Sequence, residues 1–406
     1  MSLRPDRRRS RRRAGPPRIA LALAGGGPLG AIYEIGALCA LDDCLTGVDF
    51  NAVDHHIGVS AGGFIAAALA NGITPRELSR AFIEDAPGPD GFDPSWLLSP
   101  AWAEFADRAA RLPGLLTSAL WAWGVQGKRL THAMERLGAA LPTGVLDNEA
   151  VHRQLERLFS QPGRTNDFRR LRGRLTLVAT QLDTGEAAPF GQPGWDHVPI
   201  SRAIQASAAL PGLFPPVCID GQHYVDGALK KTLHATVALD EGVDLLLCVN
   251  PLVPFRAEDS AWSAQRIPAL VEGGLPAVMS QTFRSMIHSR LALGLKHYER
   301  AYPDTDIVLV EPDQRDAELF FANTFSYRQR REMAEHAYQQ TRRLLARHAA
   351  TWAPRLARHG IGLDRAALHD PARHLVTTAA PAPSPAQRLH ATLDQLQAAL
   401  PVPSAR

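Results

Sequence analysis

The chain has 406 residues, of which 45% are hydrophobic and 21% charged, and its formal net charge is +3 at pH 7. A chain of this length and composition buries a sizeable core, so we expect a globular protein of one large or two ordinary domains. No stretch has the ~18 uninterrupted apolar residues of a membrane-spanning helix.

The positive charge is concentrated at the N-terminus. Residues 1–18 contain eight arginines and one aspartate, which give +7 and leave −4 for the rest of the chain. We predict a solvated, disordered tail over residues 1–17, and its binding to an anionic membrane or to nucleic acid stays open. The next six residues, IALALA, are fewer than the roughly 7–15 of a secretory signal core, which favours a buried strand over a signal peptide.

Strands and helices alternate in the first part of the chain. Residues 19–24 are predicted as a strand that runs into a glycine turn, and a helix with apolar residues at helical spacing follows over 28–45. A second short strand over 53–60 leads into a helix of small residues that ends at Asn71-Gly72.

The same alternation returns after residue 170. Strands are predicted over 174–182, around YVDGAL at 224–229 and over 243–252, and a helix beginning near 199 is stopped by Pro211. This order predicts an α/β fold with a mostly parallel sheet covered by helices on both faces, within a domain over 18–250.

Residues 90–170 interrupt this pattern and are predicted as a helical insertion. Their tryptophans are interpreted as packing residues, with a lid or lipid-facing surface as the alternative. These tryptophans are Trp96, Trp102, Trp121 and Trp123.

The C-terminal third is predicted as a helical extension over 251–370, with long basic helices between 320 and 360. No nucleic-acid recognition motif accompanies them, so we expect no nucleic-acid partner, while peripheral association with an anionic membrane stays open. Residues 371–406 are a proline- and alanine-rich tail with one short helix.

Neither cysteines nor histidines have metal-ligand spacing. The four cysteines form no C-x-x-C pair and are expected to be free, buried thiols. We expect no metal and no cofactor. The cysteines are Cys39, Cys44, Cys218 and Cys248.

The first glycine cluster, Gly25-Gly26-Gly27-Pro28-Leu29-Gly30, fits the dinucleotide-binding pattern between a strand and a helix. A dinucleotide site needs an acidic residue after the second strand, whereas Asp49 precedes it, which disfavours this function. Glycine N–H groups at a helix start also bind negative charge, as the oxyanion of acyl transfer requires.

Ser60 lies in a second motif, Gly58-Val59-Ser60-Ala61-Gly62, again between a predicted strand and helix. The flanking glycines permit a sharp turn that exposes a nucleophilic serine. Its base is either Asp226, just after an apolar pair, or a histidine as in the α/β-hydrolases. The histidine candidates are His234, His288 and His297.

The three motifs G-G-G-x-x-G, G-x-S-x-G and D-G-A, in this order, resemble the patatin-like phospholipase family. The D-G-A motif, Asp226-Gly227-Ala228, stands about 165 residues after Ser60. The segments 141–159, 175–186 and 203–217 resemble the family's connecting segments, so that the resemblance covers about residues 18–250.

This resemblance implies a three-layer α/β/α fold and a Ser60–Asp226 dyad without histidine. It implies that the backbone of Gly25, Gly26, Gly27 and Gly30 forms the oxyanion site, with Gly58, Gly62, Gly227 and Ala228 as the other motif positions. The implied substrates are acyl esters of lipids, and the implied role is lipid degradation without metal or cofactor.

One position departs from the family pattern. Many members carry Arg or Lys before the last glycine of the first loop, where this chain has Leu29. We expect a cytoplasmic lipid esterase or phospholipase whose oxyanion loop lacks this charge, and its peripheral association with the membrane stays open. A non-catalytic lipid-binding protein of the same fold and a Ser-Asp-His hydrolase stay open as alternatives.

Overall fold

The structure, a computed structural model, describes residues 15–84, 141–256, 270–321 and 327–376, with a few further residues between 100 and 117. The arginine-rich residues 1–14 and the C-terminal residues 377–406 lie outside the described residues, as does most of the predicted insertion before residue 141. The four tryptophans of that insertion, Trp96, Trp102, Trp121 and Trp123, lie outside them as well.

Strands and helices follow one another much as the hydrophobic pattern predicts. The described strands are β1 (Ile19–Leu23), β2 (Leu45–Thr46), β3 (His55–Gly58), β4 (Arg174–Gln181), β5 (Ala187–Phe190), β6 (Val217–Ile219), β7 (Gln222–Asp226), β8 (Leu245–Val249), β9 (Asp306–Val310) and β10 (Gly362–Leu363). The helices used below are α1 (Gly27–Cys44), α2 (Ala61–Ala70), α3 (Pro75–Phe82), α4 (Glu149–Phe159), α5 (Ile200–Ser207), α6 (Thr236–Asp240), α7 (Gly274–Ala301), α8 (Ala317–Phe321), α9 (Tyr327–Ala357) and α10 (Arg365–His369).

Eight of these strands form one central sheet, in the order β6-β7-β4-β3-β1-β8-β9 with β5 also paired to β4. The pairings of β1 with β3 and β8, of β3 with β4 and of β8 with β9 are parallel. The three pairings among β4, β5, β6 and β7 are antiparallel. The predicted mostly parallel sheet is confirmed, with an antiparallel part at one side.

Strand β4 holds two strands end to end along one of its edges. Leu177 pairs with both Gly58 of β3 and Phe190 of β5, so β3 and β5 lie on opposite edges. Ala179 pairs with both Asp226 of β7 and β5, so β7 shares the edge of β3. Because β7 is antiparallel to β4 and β3 is parallel to it, their carboxyl ends point at each other.

Helices cover both faces of the sheet. Successive residues of β1 face opposite ways, so Leu21 and Leu23 join the core beneath α1, α2 and α5, while Ala20 and Ala22 join the core beneath α6 and α7. Both faces of the strand are therefore apolar, as expected for a buried parallel strand. The α/β/α three-layer arrangement is confirmed.

The part of the chain after residue 250 completes this arrangement. β9 pairs in parallel with β8 at the edge of the sheet, and the long helix α9 packs along α1. Gly36 of α1 is a point of close approach, since a Cβ there would lie 2.5 Å from the Ala334 carbonyl oxygen. The predicted helical extension over 251–370 therefore also contains the strands β9 and β10, which the sequence analysis did not include.

The cysteines are free, but the prediction that all four are buried is wrong for Cys218. Cys218 lies in β6, where Val217 and Ile219 face the core and the residue between them faces solvent.

Candidate active site

Ser60 lies two residues after the end of β3 and caps the N-terminus of α2. Its backbone has φ 55° and ψ −123°, a left-handed conformation that is costly for a residue with a side chain. The flanking glycines are required by close approach: a Cβ on Gly58 would lie 2.5 Å from Gly63 Cα, and one on Gly62 would lie 2.3 Å from the Ala24 carbonyl oxygen. The G-x-S-x-G motif thus fits a tight strand-to-helix turn.

Ser207 holds this turn in place and was missed by the sequence analysis. The Ser60 backbone N–H donates to Ser207 Oγ at 2.8 Å, and the Ser207 hydroxyl donates to the Val178 carbonyl at 2.6 Å. Ser207 is the last residue of α5 and is fully buried. Nothing local marks it as functional, although it stands in the segment 203–217 that resembles the patatin-like phospholipases.

Asp226 ends β7, which points at the end of β3, and its side chain is buried beside Ser60. Its Oδ1 accepts a hydrogen bond of 2.8 Å from the Ala228 N–H. Burial raises the pKa of Asp226 to about 6, while the Ala228 N–H and the Ser60 hydroxyl act in the lowering direction. The structure therefore brings together the two residues that the sequence analysis proposed as nucleophile and base.

Gly227 lets the residues after Asp226 pass close to β4. A Cβ on Gly227 would lie 2.0 Å from the Val178 carbonyl oxygen, so no larger residue fits. Ala228 in turn lies next to the first glycine loop, 3.3 Å from where a Cβ on Gly25 would be.

The first glycine loop lies over Ser60. A Cβ on Gly25 would come within 3.1 Å of Ser60 Cβ, and one on Gly26 within 2.7 Å of Pro251 Cγ. Gly26 caps α1, and Gly27 has φ 59°. The Gly30 N–H donates to the Gly26 carbonyl at 3.0 Å and closes the first helical turn. This N–H is therefore not free to donate to an oxyanion, and Gly30 can serve the predicted oxyanion site only by letting the chain pack closely there.

The N-termini of α1 and α2 meet at Ser60, and neither helix has an acidic residue in its first turn. Helix N-termini carry unpaired N–H groups and a partial positive charge, so this corner favours negative charge. Leu29, at the position where many family members have a basic residue, packs its side chain against the apolar core.

The three histidines considered as bases do not join the dyad. Among the described residues, no histidine ring has a hydrogen bond to Ser60 or Asp226. His234 is buried, and burial lowers its pKa to about 3. His288 contacts Gln314, and His297 packs against Tyr298.

In the described ranges, the His, Cys, Asp and Glu side chains form no group of three or more suited to a metal ion. No helix in this part of the chain has the length and hydropathy needed to cross a membrane.

A family model of patatin-like phospholipase matches residues 21–239, more than half of the chain. This protein belongs to the patatin-like phospholipase family. The matched region of this patatin-like protein contains both glycine motifs, Ser60, Ser207 and Asp226. Strands β8 and β9 and the helices α7 and α9 lie beyond it.

The chain is also similar to several solved structures. VipD from Legionella pneumophila is 17% identical over 82% of this chain and 68% of its own, with a TM-score of 0.37. The type III effector ExoU is 18% identical over 82% of this chain and 53% of its own, with a TM-score of 0.33. In the ExoU–SpcU complex of Pseudomonas aeruginosa the identity is 18% over 83% of this chain and 61% of that chain, with a TM-score of 0.25.

Proposed function

We propose that this patatin-like protein is a serine acyl hydrolase that cleaves fatty-acyl ester bonds of lipids, with Ser60 as nucleophile and Asp226 as base. The observation that carries the proposal is the position of the Ser60 hydroxyl. It stands on a left-handed turn beside a buried carboxyl whose pKa lies near 6. A base with such a pKa is largely ionised at neutral pH and still basic enough to accept a proton.

The first half of the reaction forms an acyl-enzyme. Asp226 accepts the Ser60 hydroxyl proton while Oγ attacks the ester carbonyl carbon. The tetrahedral intermediate collapses, the bond to the alcohol oxygen breaks, and Asp226 returns the proton to that oxygen. The alcohol or lysophospholipid then leaves.

The second half restores the enzyme. A water molecule gives a proton to Asp226 and its oxygen attacks the acyl carbon. Collapse of this second intermediate releases the fatty acid, and Ser60 Oγ takes the proton back from Asp226.

The negative oxygen of both intermediates is assigned to the loop Gly25–Gly27. This loop touches Ser60, and no hydrogen-bond acceptor for its three N–H groups is found among the described residues. Backbone donors that point at a developing oxyanion contribute roughly 3–4 kcal/mol each to lowering the barrier. Because Leu29 supplies no charge, stabilisation here depends on backbone dipoles alone.

Labelling with a fluorophosphonate tests the nucleophile, because this reagent reacts with activated serines. We expect Ser60→Ala to abolish labelling and hydrolysis of a panel of phospholipids, glycerides and short-chain esters. Ser201→Ala is the matched control, because Ser201 is also a buried, hydrogen-bonded serine and lies on α5 away from the dyad. It should label like the wild type.

The base is tested by Asp226→Asn and His234→Gln in the same assays. Asp226→Asn should lose at least about 100-fold in hydrolysis, and His234→Gln should retain it. An unlabelled wild type would favour a non-catalytic lipid-binding protein, and an essential histidine would replace Asp226 as the base.

A further inference from the structure

Helix α7 exposes a row of large apolar side chains. Leu275, Val278, Met279, Met286 and Leu293 have 73%, 41%, 41%, 45% and 66% of their surface exposed, and we name them the α7 stripe. In an α-helix, Leu275, Met279, Met286 and Leu293 lie within about 40° of one another around the axis. The stripe thus runs straight along one side of the helix for about 27 Å.

The opposite side of α7 is already buried against the protein. Ile287, Leu291 and Tyr298 belong to the core beneath this helix. Between Leu275 and Ser289 the sequence has one charged residue, Arg284, and its side chain is buried. A helix on the surface of a soluble protein usually has a charged outer face. Here the outer face consists of apolar, serine and threonine residues.

The α7 stripe belongs to a helix that packs directly beside the dyad. Ile287 lies in one apolar cluster with Val59 and Ala228, the neighbours of Ser60 and Asp226. Arg290 Nη1 donates to the Leu229 carbonyl at 2.5 Å, and the Thr232 hydroxyl donates to the Ile287 carbonyl at 3.4 Å. The segment after Asp226 is therefore attached to α7 at two points.

The charged residues near the stripe are mostly basic. Arg290, Lys296 and Arg300 on α7 are accompanied by Glu299, and Glu272 stands three residues before Leu275; all five are exposed. Lys231, five residues after Asp226, is exposed on the segment attached to α7. Apolar side chains next to basic ones are the combination with which amphipathic helices bind the surface of anionic membranes.

We propose that the α7 stripe docks the protein on an anionic lipid surface, with α7 lying in the interface and the basic residues among the head groups. The dyad, which lies against the opposite side of α7, is then held one helix diameter, about 10 Å, from the lipid surface. This inference rests on the proposed lipid hydrolysis only in explaining why the protein would dock, since binding to a lipid surface itself requires no catalysis.

Co-sedimentation with vesicles tests the docking in the Ser60→Ala background, where no lipid is cleaved. We expect the protein to bind vesicles of phosphatidylcholine mixed with phosphatidylglycerol and to bind phosphatidylcholine alone more weakly. The double substitution Leu275→Ser/Leu293→Ser should lower the partition coefficient at least about tenfold. Ser289→Leu, which enlarges the stripe on the same helix, should raise it severalfold.

The matched control is Arg343→Ser/Arg347→Ser, which removes two exposed charges from the other long helix, α9. It should change vesicle binding by less than about twofold, because exposed charges far from the docking face are screened by salt and contribute little. Loss of binding in this variant with unchanged binding of the leucine variant would overturn the inference in favour of α9. A leucine variant that converts a dimer into a monomer by light scattering, with unchanged vesicle binding, would make the stripe a contact between copies and would also overturn it.

Hydrolysis of a soluble short-chain ester separates this inference from the proposed function. When Ser60 is kept, the variant Leu275→Ser/Leu293→Ser should hydrolyse the soluble ester like the wild type and lose activity on vesicles. Soluble esterase activity without stripe-dependent binding contradicts only the docking, whereas stripe-dependent binding without any esterase activity contradicts only the proposed catalysis.

Discussion

The Asp226 carboxyl is held where its charged form is disfavoured. Burial is the largest influence on its pKa and raises it, while the Ala228 N–H and the Ser60 hydroxyl favour the ionised form less strongly. The resulting pKa of about 6 keeps the group basic. A solvent-exposed aspartate, with a pKa near 4, would be a weaker base for the Ser60 hydroxyl.

The pH dependence of activity should follow this carboxyl. A base works in its ionised form, so kcat/KM on a soluble ester should rise tenfold per pH unit well below pH 6 and level off above it. A stopped assay between pH 4 and pH 9 measures the profile. A midpoint near 4, typical of an exposed aspartate, would contradict the buried position of Asp226.

The buried Asp226 carboxyl should also lower the stability of the folded protein at neutral pH. Because its pKa is higher in the folded than in the unfolded protein, the folded state binds more protons between about pH 4 and pH 6, and its stability falls as pH rises through this window. Asp226→Asn removes the charge and keeps the oxygen that accepts from Ala228. We expect it to raise the free energy of unfolding by up to about 3 kcal/mol at pH 8. The gain should vanish below about pH 4, as urea denaturation at both pH values will show.

Ser207 is predicted to position Ser60 without touching the substrate. Ser207→Ala leaves the buried Ser60 N–H and the Val178 carbonyl without their partner, which should cost about 1–3 kcal/mol of stability. Displacement of Ser60 should lower kcat by about ten- to a hundredfold, with the pH midpoint unchanged. Ser201→Ala on the same helix should lose comparable stability and keep kcat. Equal kcat in both variants would contradict the positioning role.

At this scale the sequence identifies residues by motif and misses those that act through the backbone. Ser60 and Asp226 stand in glycine motifs, and the structure shows that these glycines are needed because a Cβ there would clash with nearby backbone atoms. Ser207 has no such pattern, because its role depends on α5 ending beside Val178, a contact 29 residues apart in the chain. Cys218 was misplaced for a similar reason, since a three-residue edge strand is too short to show its alternation.

At the scale of elements, the start of α2 is fixed against the end of β1. Gly62 N–H donates to the Ala24 carbonyl at 3.1 Å, and this close crossing brings the serine turn to the glycine loop. Gly63, the next residue of α2, has room, since a Cβ there would make an ordinary contact of 3.5 Å with Leu177 Cδ2.

Gly62→Ala and Gly63→Ala should therefore have opposite effects. A Cβ on Gly62 would force α2 away from β1, so we expect loss of several kcal/mol of stability and loss of fluorophosphonate labelling. Gly63→Ala should be neutral or stabilising by about 0.5–1 kcal/mol, because alanine favours the helix. Thermal unfolding and labelling of both variants measure this, and similar behaviour of the two would show that the crossing is not the constraint.

The strand pattern predicts β1 and β8 well because each is a continuous apolar run, and it also places β3 and β4, although β3 contains two histidines and β4 contains threonines. The end-to-end arrangement of β3 and β7 along β4 is not predictable in this way, because local periodicity does not specify which edge a strand occupies. That arrangement is what brings Asp226 to Ser60; from the residues alone Asp226 was one of several candidate bases, and the resemblance to a family singled it out. β9 was overlooked because DIVLV lies between two long helical segments.

At the scale of the whole molecule, the chain beyond the family match is part of the same core. β9 extends the sheet through β8, β10 pairs with β2, and α9 covers α1, the helix whose N-terminus holds the glycine loop. Tyr338 of α9 is fully buried and hydrogen-bonds to Asp43 near the end of α1. The helix that carries the glycine loop is therefore held at its far end by a residue about 300 positions away.

Unfolding should accordingly be cooperative across the chain and sensitive to the contact between α1 and α9. Gly36→Ala places a Cβ 2.5 Å from the Ala334 carbonyl oxygen and should cost at least about 2 kcal/mol. Gly294→Ala, whose Cβ would meet the Tyr298 ring at 3.9 Å, is the matched helical control and should be tolerated.

In urea, the loss of helical circular dichroism and the loss of fluorophosphonate labelling should share one midpoint, and Gly36→Ala should lower both together. If labelling persisted after much of the helical signal had gone, the C-terminal helices would be a separate unit and the dyad would not depend on them. A single shifted midpoint would mean that α9 stabilises the glycine loop and the dyad through α1, along which it packs.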